Sequence, residues 1–323
     1  MGAQGAFFKP MSQTIFAASW HNGLFLITGD AVRHELADQP VRGLCADRGG
    51  VLAIVGGRQL RRRSPDGHWD TLAGSDAPLS CVVATGNTVL VGTDDAQVLR
   101  LGEAGTLEPL PGFARTEGRN RWYAGTAVID GRVIGPPLGV RSIAATCDAT
   151  AILANVHVGG IPRSTDRGAS WHPTLDINWD VHQVCTHPAD PEVAVAASAA
   201  GVCISANHGA TWTASAAGLH APYCAAVAFC GDDVLVCAAK DHFATSAGLY
   251  RLPVADPAAL QPVEIGESRW LGAIIDTHCL VSDGESVVIV DRTGQLNWSE
   301  DGGHNWHSHA HRFPMTSALL LNP

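Results

Sequence analysis

Short apolar runs of strand length recur from Thr14 to Leu321, divided by turns rich in Gly, Pro, Asp and Asn. The clearest stretch is 181–215. There Val181-His-Gln-Val-Cys-Thr186 leads through the turn His187-Pro-Ala-Asp-Pro191 to Val193-Ala-Val-Ala-Ala197, then to Gly201-Val-Cys-Ile-Ser205. Val-rich runs this short, bounded by turn residues, read as β-strands rather than helices. The same rhythm marks units near 41–74, 78–110, 141–176, 181–216, 223–254 and 276–311. Each predicts an inner strand, a second, a third and an outer one. The N-terminus fits only if a strand is missing. Thr14-Ile-Phe-Ala-Ala-Ser19 and Gly23-Leu-Phe-Leu-Ile-Thr28 read as second and third strands, with Val32-Arg-His-Glu-Leu36 outside them. Thr316-Ser-Ala-Leu-Leu-Leu321 supplies the absent inner strand, and such closure hides edges that would otherwise stand open.

A second pattern lies on this one. Ser-x-Asp/Asn-x-Gly-x-x-Trp occurs at Ser164–Trp171, Ser205–Trp212 and Ser299–Trp306, with a shortened form at Ser64-Pro-Asp66-Gly67-His-Trp69. The Asp or Asn side chain accepts N–H bonds within its own turn, and Gly takes a dihedral that a Cβ forbids. Trp then opens the next strand and carries its ring between neighbouring units. These residues resemble the Asp-box, or BNR, repeat of sialidase-like β-propellers. The resemblance covers about 141–312 and implies an all-β chain: a single β-propeller over 1–323, of about seven four-stranded blades. The family spans sialidases, other glycosidases, sorting receptors and assembly factors, so it leaves the chemistry open.

Composition agrees. Only 16% of the 323 residues are charged, and Gly 35 and Pro 18 suit many tight turns. The formal charge of −10 argues against nucleic acid or an anionic membrane as partner. Nine cysteines sit mostly in apolar runs with no CxxC pair, which reads as buried free thiols in a reducing, cytoplasmic setting. No apolar run is long enough to span a membrane. Met1-Gly2 opens like a myristoylation signal, but position 6 is Ala, which excludes it. Residues 1–13 read as a flexible segment, and 111–140 as an excursion between blades that walls one face.

Blade topology turns scattered polar residues into one candidate site. Inner-strand starts would place Arg42, Ser80, Arg141, His182, Tyr223 and His278 at one end of the central channel. Loops between second and third strands add Trp20, His21, Asp94, Asp95 and His157, then Asp241, His242, Asp291 and Arg292. Asp180, His220 and Asp276 enter from the loops before inner strands. Neutral imidazoles gathered with carboxylates suit a divalent transition metal such as Zn, Fe, Cu or Ni. Asp180-Val-His182 and Asp276-Thr-His278 share a spacing that puts both side chains on one face of an extended segment. His157, His182 and His278 are the expected ligands, with His220, His242 and His21 in reserve. Asp180 or Asp276 would serve as outer carboxylate or proton acceptor, and Arg42 and Arg141 would orient an anionic group. The expected function is a metal-dependent enzyme acting on a small molecule.

Two other readings use other residues. The resemblance to sialidases implies three Arg on a carboxylate and a Tyr nucleophile activated by Glu. Arg42, Arg141, Arg292, Tyr223, Asp94 or Asp95, and Glu267 could imitate that set, but the Phe-Arg-Ile-Pro start is absent. A protein-binding scaffold would instead present Arg119, Arg121, Trp122 and Tyr123 to a partner. The run His307-Ser-His309-Ala-His311 reads as one solvated face of an outer strand. No phosphate-cradling glycine loop and no Gly-x-Ser-x-Gly elbow occurs.

Overall fold

The computed structural model describes residues 13–124, 127–129, 132–134 and 138–322. Its strands form seven antiparallel blades around a central channel. Val41–Asp47, Leu79–Thr85, Val140–Ala145, Val181–Thr186, Tyr223–Cys230 and Ile275–Ser282 are the innermost strands of blades two to seven. The first blade runs Ala31–Glu35, Gly23–Thr28, Ile15–Ser19 and Thr316–Leu321, so the C-terminal strand is its innermost member, as the missing-strand argument requires. Blade six is extended by Trp270–Leu271, which pairs with Ala247–Pro253. Apolar side chains pack between blades. One cluster joins Val195 and Val202 of blade five to Val234, Val236 and Tyr250 of blade six.

The octapeptide turns are built as their residues dictate. In the first, Ser164 Oγ donates to Asp166 Oδ1 at 2.8 Å and accepts from Gly168 N at 2.8 Å, while Asp166 Oδ1 accepts from Ser170 N at 2.8 Å. Gly168 has φ +88, and a Cβ there would stand 2.6 Å from Leu110 Cδ1. Asn207 and Asp301 organise their turns likewise, and the shortened form keeps the Ser64–Asp66 bond. Trp171 is 3% exposed and meets Phe113 edge-on at 5.0 Å, while Trp212 donates to Thr174 of the preceding blade.

The stretch after blade three contains the short helix Pro111–Ala114, a single turn at Arg119–Arg121 and a hairpin of Ala127–Ile129 with Arg132–Ile134. It does not present the expected aromatic patch. Trp122 is buried against Phe113, and the Arg119 guanidinium lies 4.8 Å over its ring, so both serve the core. Tyr123 and Arg121 remain exposed. Residues 125–126, 130–131 and 135–137 of the excursion, and 1–12 of the N-terminal segment, lie outside the described residues. His309 is also placed differently from expectation. It is buried beside Phe313 and Trp298, because the outer strand leans onto the first blade there. All nine cysteines are free, and only Cys147 is exposed. Among the described residues no helix is long and apolar enough to cross a membrane.

Candidate functional site

Every innermost strand slips register against its second strand near the channel mouth. The extra residue is Ser317 in blade one, then Gly43, Ser80, Arg141, His182 and Ala225 in blades two to six. Blade seven bulges more widely, between Ile275 and Leu280. A bulge leaves its extra residue outside the ladder and re-aims its side chain. This repeated slip is what turns Arg141 and His182 toward the axis. No period-2 or spacing signal in the chain announces it.

His182 begins the site. Its ring is 1% exposed, and Nδ1 lies 2.6 Å from the Cys224 carbonyl oxygen, which can only accept. Nδ1 therefore carries a proton. Nε2 then faces Asp180 Oδ1 at 3.3 Å, and both atoms are buried. His157, from the loop after Ile152–Val156, brings Nε2 to 3.0 Å from the same Oδ1. One ligand atom from each of His157, Asp180 and His182 thus lies within 4.8 Å of the others. Burial alone would raise the Asp180 carboxyl, but the facing His157 and His182 imidazoles hold it well below the usual carboxylate range. Burial lowers the His157 pKa despite the carboxylate beside it.

Around this trio lie the groups that can meet a ligand. The Tyr223 ring is 4.5 Å from the His182 ring. Burial pushes its hydroxyl pKa far up, so it is a neutral donor rather than a phenolate. Arg141 is half-buried, and desolvation lowers its guanidinium pKa while Tyr223, Asp180 and Asp276 act in the other direction. Arg292 donates Nε–H to Asp276 Oδ2 at 2.7 Å and Nη2–H to His242 Nε2 at 2.7 Å. The blade-seven bulge reaches across the channel. His278, at φ +64, donates its backbone N–H to Gln183 Oε1 at 3.1 Å and sets Nε2 3.0 Å from the Arg141 carbonyl oxygen. The left-handed backbone of a non-glycine residue is strain that those cross-channel bonds hold in place.

Several expected members stand elsewhere. His278 is bonded to backbone and does not join the trio, because the wide bulge carries it past the mouth. His242 is taken by Arg292. His220 bonds Tyr250 Oη at 2.8 Å and abuts Trp270, on the outer part of blade six. Arg42 precedes the bulge residue Gly43 instead of occupying it. That one-residue offset turns Arg42 to Asp94, at 2.9 Å, and to the Trp20 ring. Asp95, Asp241 and Asp291 cap their own turns. His21 and Glu267 are exposed, the latter on the tight turn between Ile265 and Ser268, so the sialidase-like set is not assembled around Tyr223.

No family model matches the chain, and no curated protein does. Solved structures share its fold. The computationally designed Ika8 protein superposes with a TM-score of 0.58 at 13% identity, covering 95% of this chain and 90% of that one. An ancestral GH74 enzyme gives 0.61 at 15%, and the GH74 xyloglucanase from Xanthomonas campestris 0.57 at 14%. These cover 95% and 92% of this chain, which spans only 40% and 46% of those enzymes. At such identities the likeness is one of fold.

Proposed function

We propose that the channel mouth holds a divalent transition metal (Zn, Fe, Cu or Ni) through His157 Nε2, Asp180 Oδ1 and His182 Nε2. The protein would then act as a cytoplasmic, metal-dependent enzyme on a small polar or anionic molecule. One observation carries this reading. His157 Nε2 and His182 Nε2 converge on one oxygen, Asp180 Oδ1, at 3.0 and 3.3 Å, while the other ring nitrogen of His182 is already committed as a donor. Two imidazole nitrogens crowded on one carboxylate oxygen need either a proton on each or a shared cation, and a divalent metal satisfies all three at once. Two imidazoles and one carboxylate suit such a metal and leave coordination positions open. The cation would supply Lewis acidity toward a coordinated oxygen.

The chain's own residues would do the rest. The Cys224 carbonyl fixes the His182 tautomer. Tyr223 would donate its hydroxyl proton in a hydrogen bond to the ligand, and Arg141 would orient its anionic group. Asp276, steadied by Arg292, would accept a proton. Asp180 becomes a ligand under this reading, not an outer carboxylate. The Asp-box turns support placing the chain among BNR-type propellers, and the free thiols support a reducing compartment.

Glycoside hydrolysis fits less well, although the GH74 neighbours share the fold. That chemistry needs one protonated carboxyl, and Asp180 is held ionised. Elemental analysis of untagged protein, incubated with these metals and desalted, tests the proposal. Near-stoichiometric metal is expected in the wild type and its loss in a His157→Ala/His182→Ala double variant. Wild-type protein that retains none refutes it, and a co-purifying partner would then favour a scaffold.

A further inference from the structure

In three blades the extra residue of the inner strand bonds to the next blade, and in blade four the same position is occupied by an arginine that does not. In blade one the Ser317 hydroxyl donates to Val41 O of blade two at 2.5 Å, and in blade three Ser80 Oγ donates to Val140 O of blade four at 2.6 Å. In blade five His182 Nδ1 does the same to Cys224 O of blade six. In these three blades the bulged side chain ties its blade to the next. Arg141 holds the corresponding position in blade four, but the equivalent carbonyl, that of Val181, accepts instead from Asn155 Nδ2 at 2.7 Å. Among the described residues Arg141 makes one weak side-chain bond, Nη2 to Thr277 Oγ1 at 3.4 Å. No carboxylate of a described residue pairs with it, whereas Arg42, Arg62, Arg63, Arg251 and Arg292 all have one. Asp180 and Asp276 reach this desolvated guanidinium only through space, so its fork remains open to a directly bonded anion.

We propose that Arg141 is the receptor for the carboxylate of a small 2-hydroxy- or 2-oxo-acid, whose neighbouring oxygen turns toward His157, Asp180 and His182. This rests on the metal reading above. A planar guanidinium fork matches a carboxylate in two parallel bonds, and Tyr223 lies close to both Arg141 and His182. Charge points the same way. Asp180 and Asp276 offset Arg141 and Arg292, so a divalent cation leaves a surplus of positive charge that a small anion completes. Inorganic phosphate, with more charge beside two aspartates and one available guanidinium, fits less well.

Calorimetric titration of metal-loaded protein with glycolate, acetate and inorganic phosphate decides the matter. Glycolate should bind more tightly than acetate or phosphate. Arg141→Gln should weaken it by about ten- to a hundredfold with metal content unchanged, the usual loss for a charged hydrogen bond. Arg141→Lys, which keeps the charge but lacks the fork, should recover only part and guards against a misfolded Gln variant. Equal glycolate affinity in wild type and Arg141→Gln overturns the proposal while leaving the metal reading intact. Tighter phosphate binding overturns the carboxylate assignment. Wild type without metal that still binds glycolate through Arg141 would sink the metal reading and keep this subsite.

Discussion

At the scale of single residues, the site is decided by which nitrogen or oxygen is already committed. His182 and Asp276 are the clearest examples: each lies in an Asp-x-His pair, and the two pairs have opposite fates. Asp180 and His182 face each other across a small buried gap, whereas Asp276 goes to Arg292 and His278 to a backbone carbonyl. The spacing was legible in the chain, but the partners were not. Titration follows from the same burial. The pKa values of His157, His242, His278 and His220 all lie below the ordinary 6.5, first because burial disfavours the imidazolium. At pH 5 to 6 the unfolded chain binds more protons than the native one at these four sites, so stability rises with pH there. Metal-free protein should therefore lose urea resistance as pH falls from about 7.5 to about 5.5. A midpoint that holds or rises over that window would contradict the burial of these rings.

At the scale of elements, the octapeptide turns show how far sequence reasoning reaches. Ser, Asp or Asn, Gly and Trp each have one local task, and those tasks need no distant partner except for the Trp ring. That ring joins blades, so its worth depends on burial. Trp171→Ala, at a buried site against Phe113, should cost ~3–5 kcal/mol in urea unfolding. The half-buried Trp212 and Trp306 should cost less when cut back to Ala, and equal losses at all three would show that ring burial is not what matters. The inner-strand bulges stand at the opposite extreme. A one-residue slip does not alter the apolar pattern enough to be read, yet it decides whether Arg42 or Arg141 faces the axis.

At the scale of the molecule, a ring of blades is only as stable as its closure. Blade one takes its innermost strand from the chain's far end, with Ile15 opposite Leu321 and Ala18 opposite Ala318. Deleting residues 316–323 would leave an open edge on Ile15–Ser19 and strip Leu319 and Leu321 from the core between blades seven and one. The truncated protein should unfold or aggregate, and an unchanged melting temperature would show that closure is dispensable. The same ring gathers side chains from blades four, five, six and seven within reach of one another at its mouth.

What the chain determined by itself was local and repetitive: strand rhythm, turn chemistry, the count of units and the need for a borrowed strand. Those follow from short-range propensities and from the requirement that every sheet edge be paired. Only the tertiary structure decided which polar residues meet. Register slips, burial and the bonding of backbone carbonyls, such as that of Val181 by Asn155, depend on neighbours far away in sequence. Those choices separate His157, Asp180 and His182 from the other histidines and aspartates that the same topology had drawn to the pore.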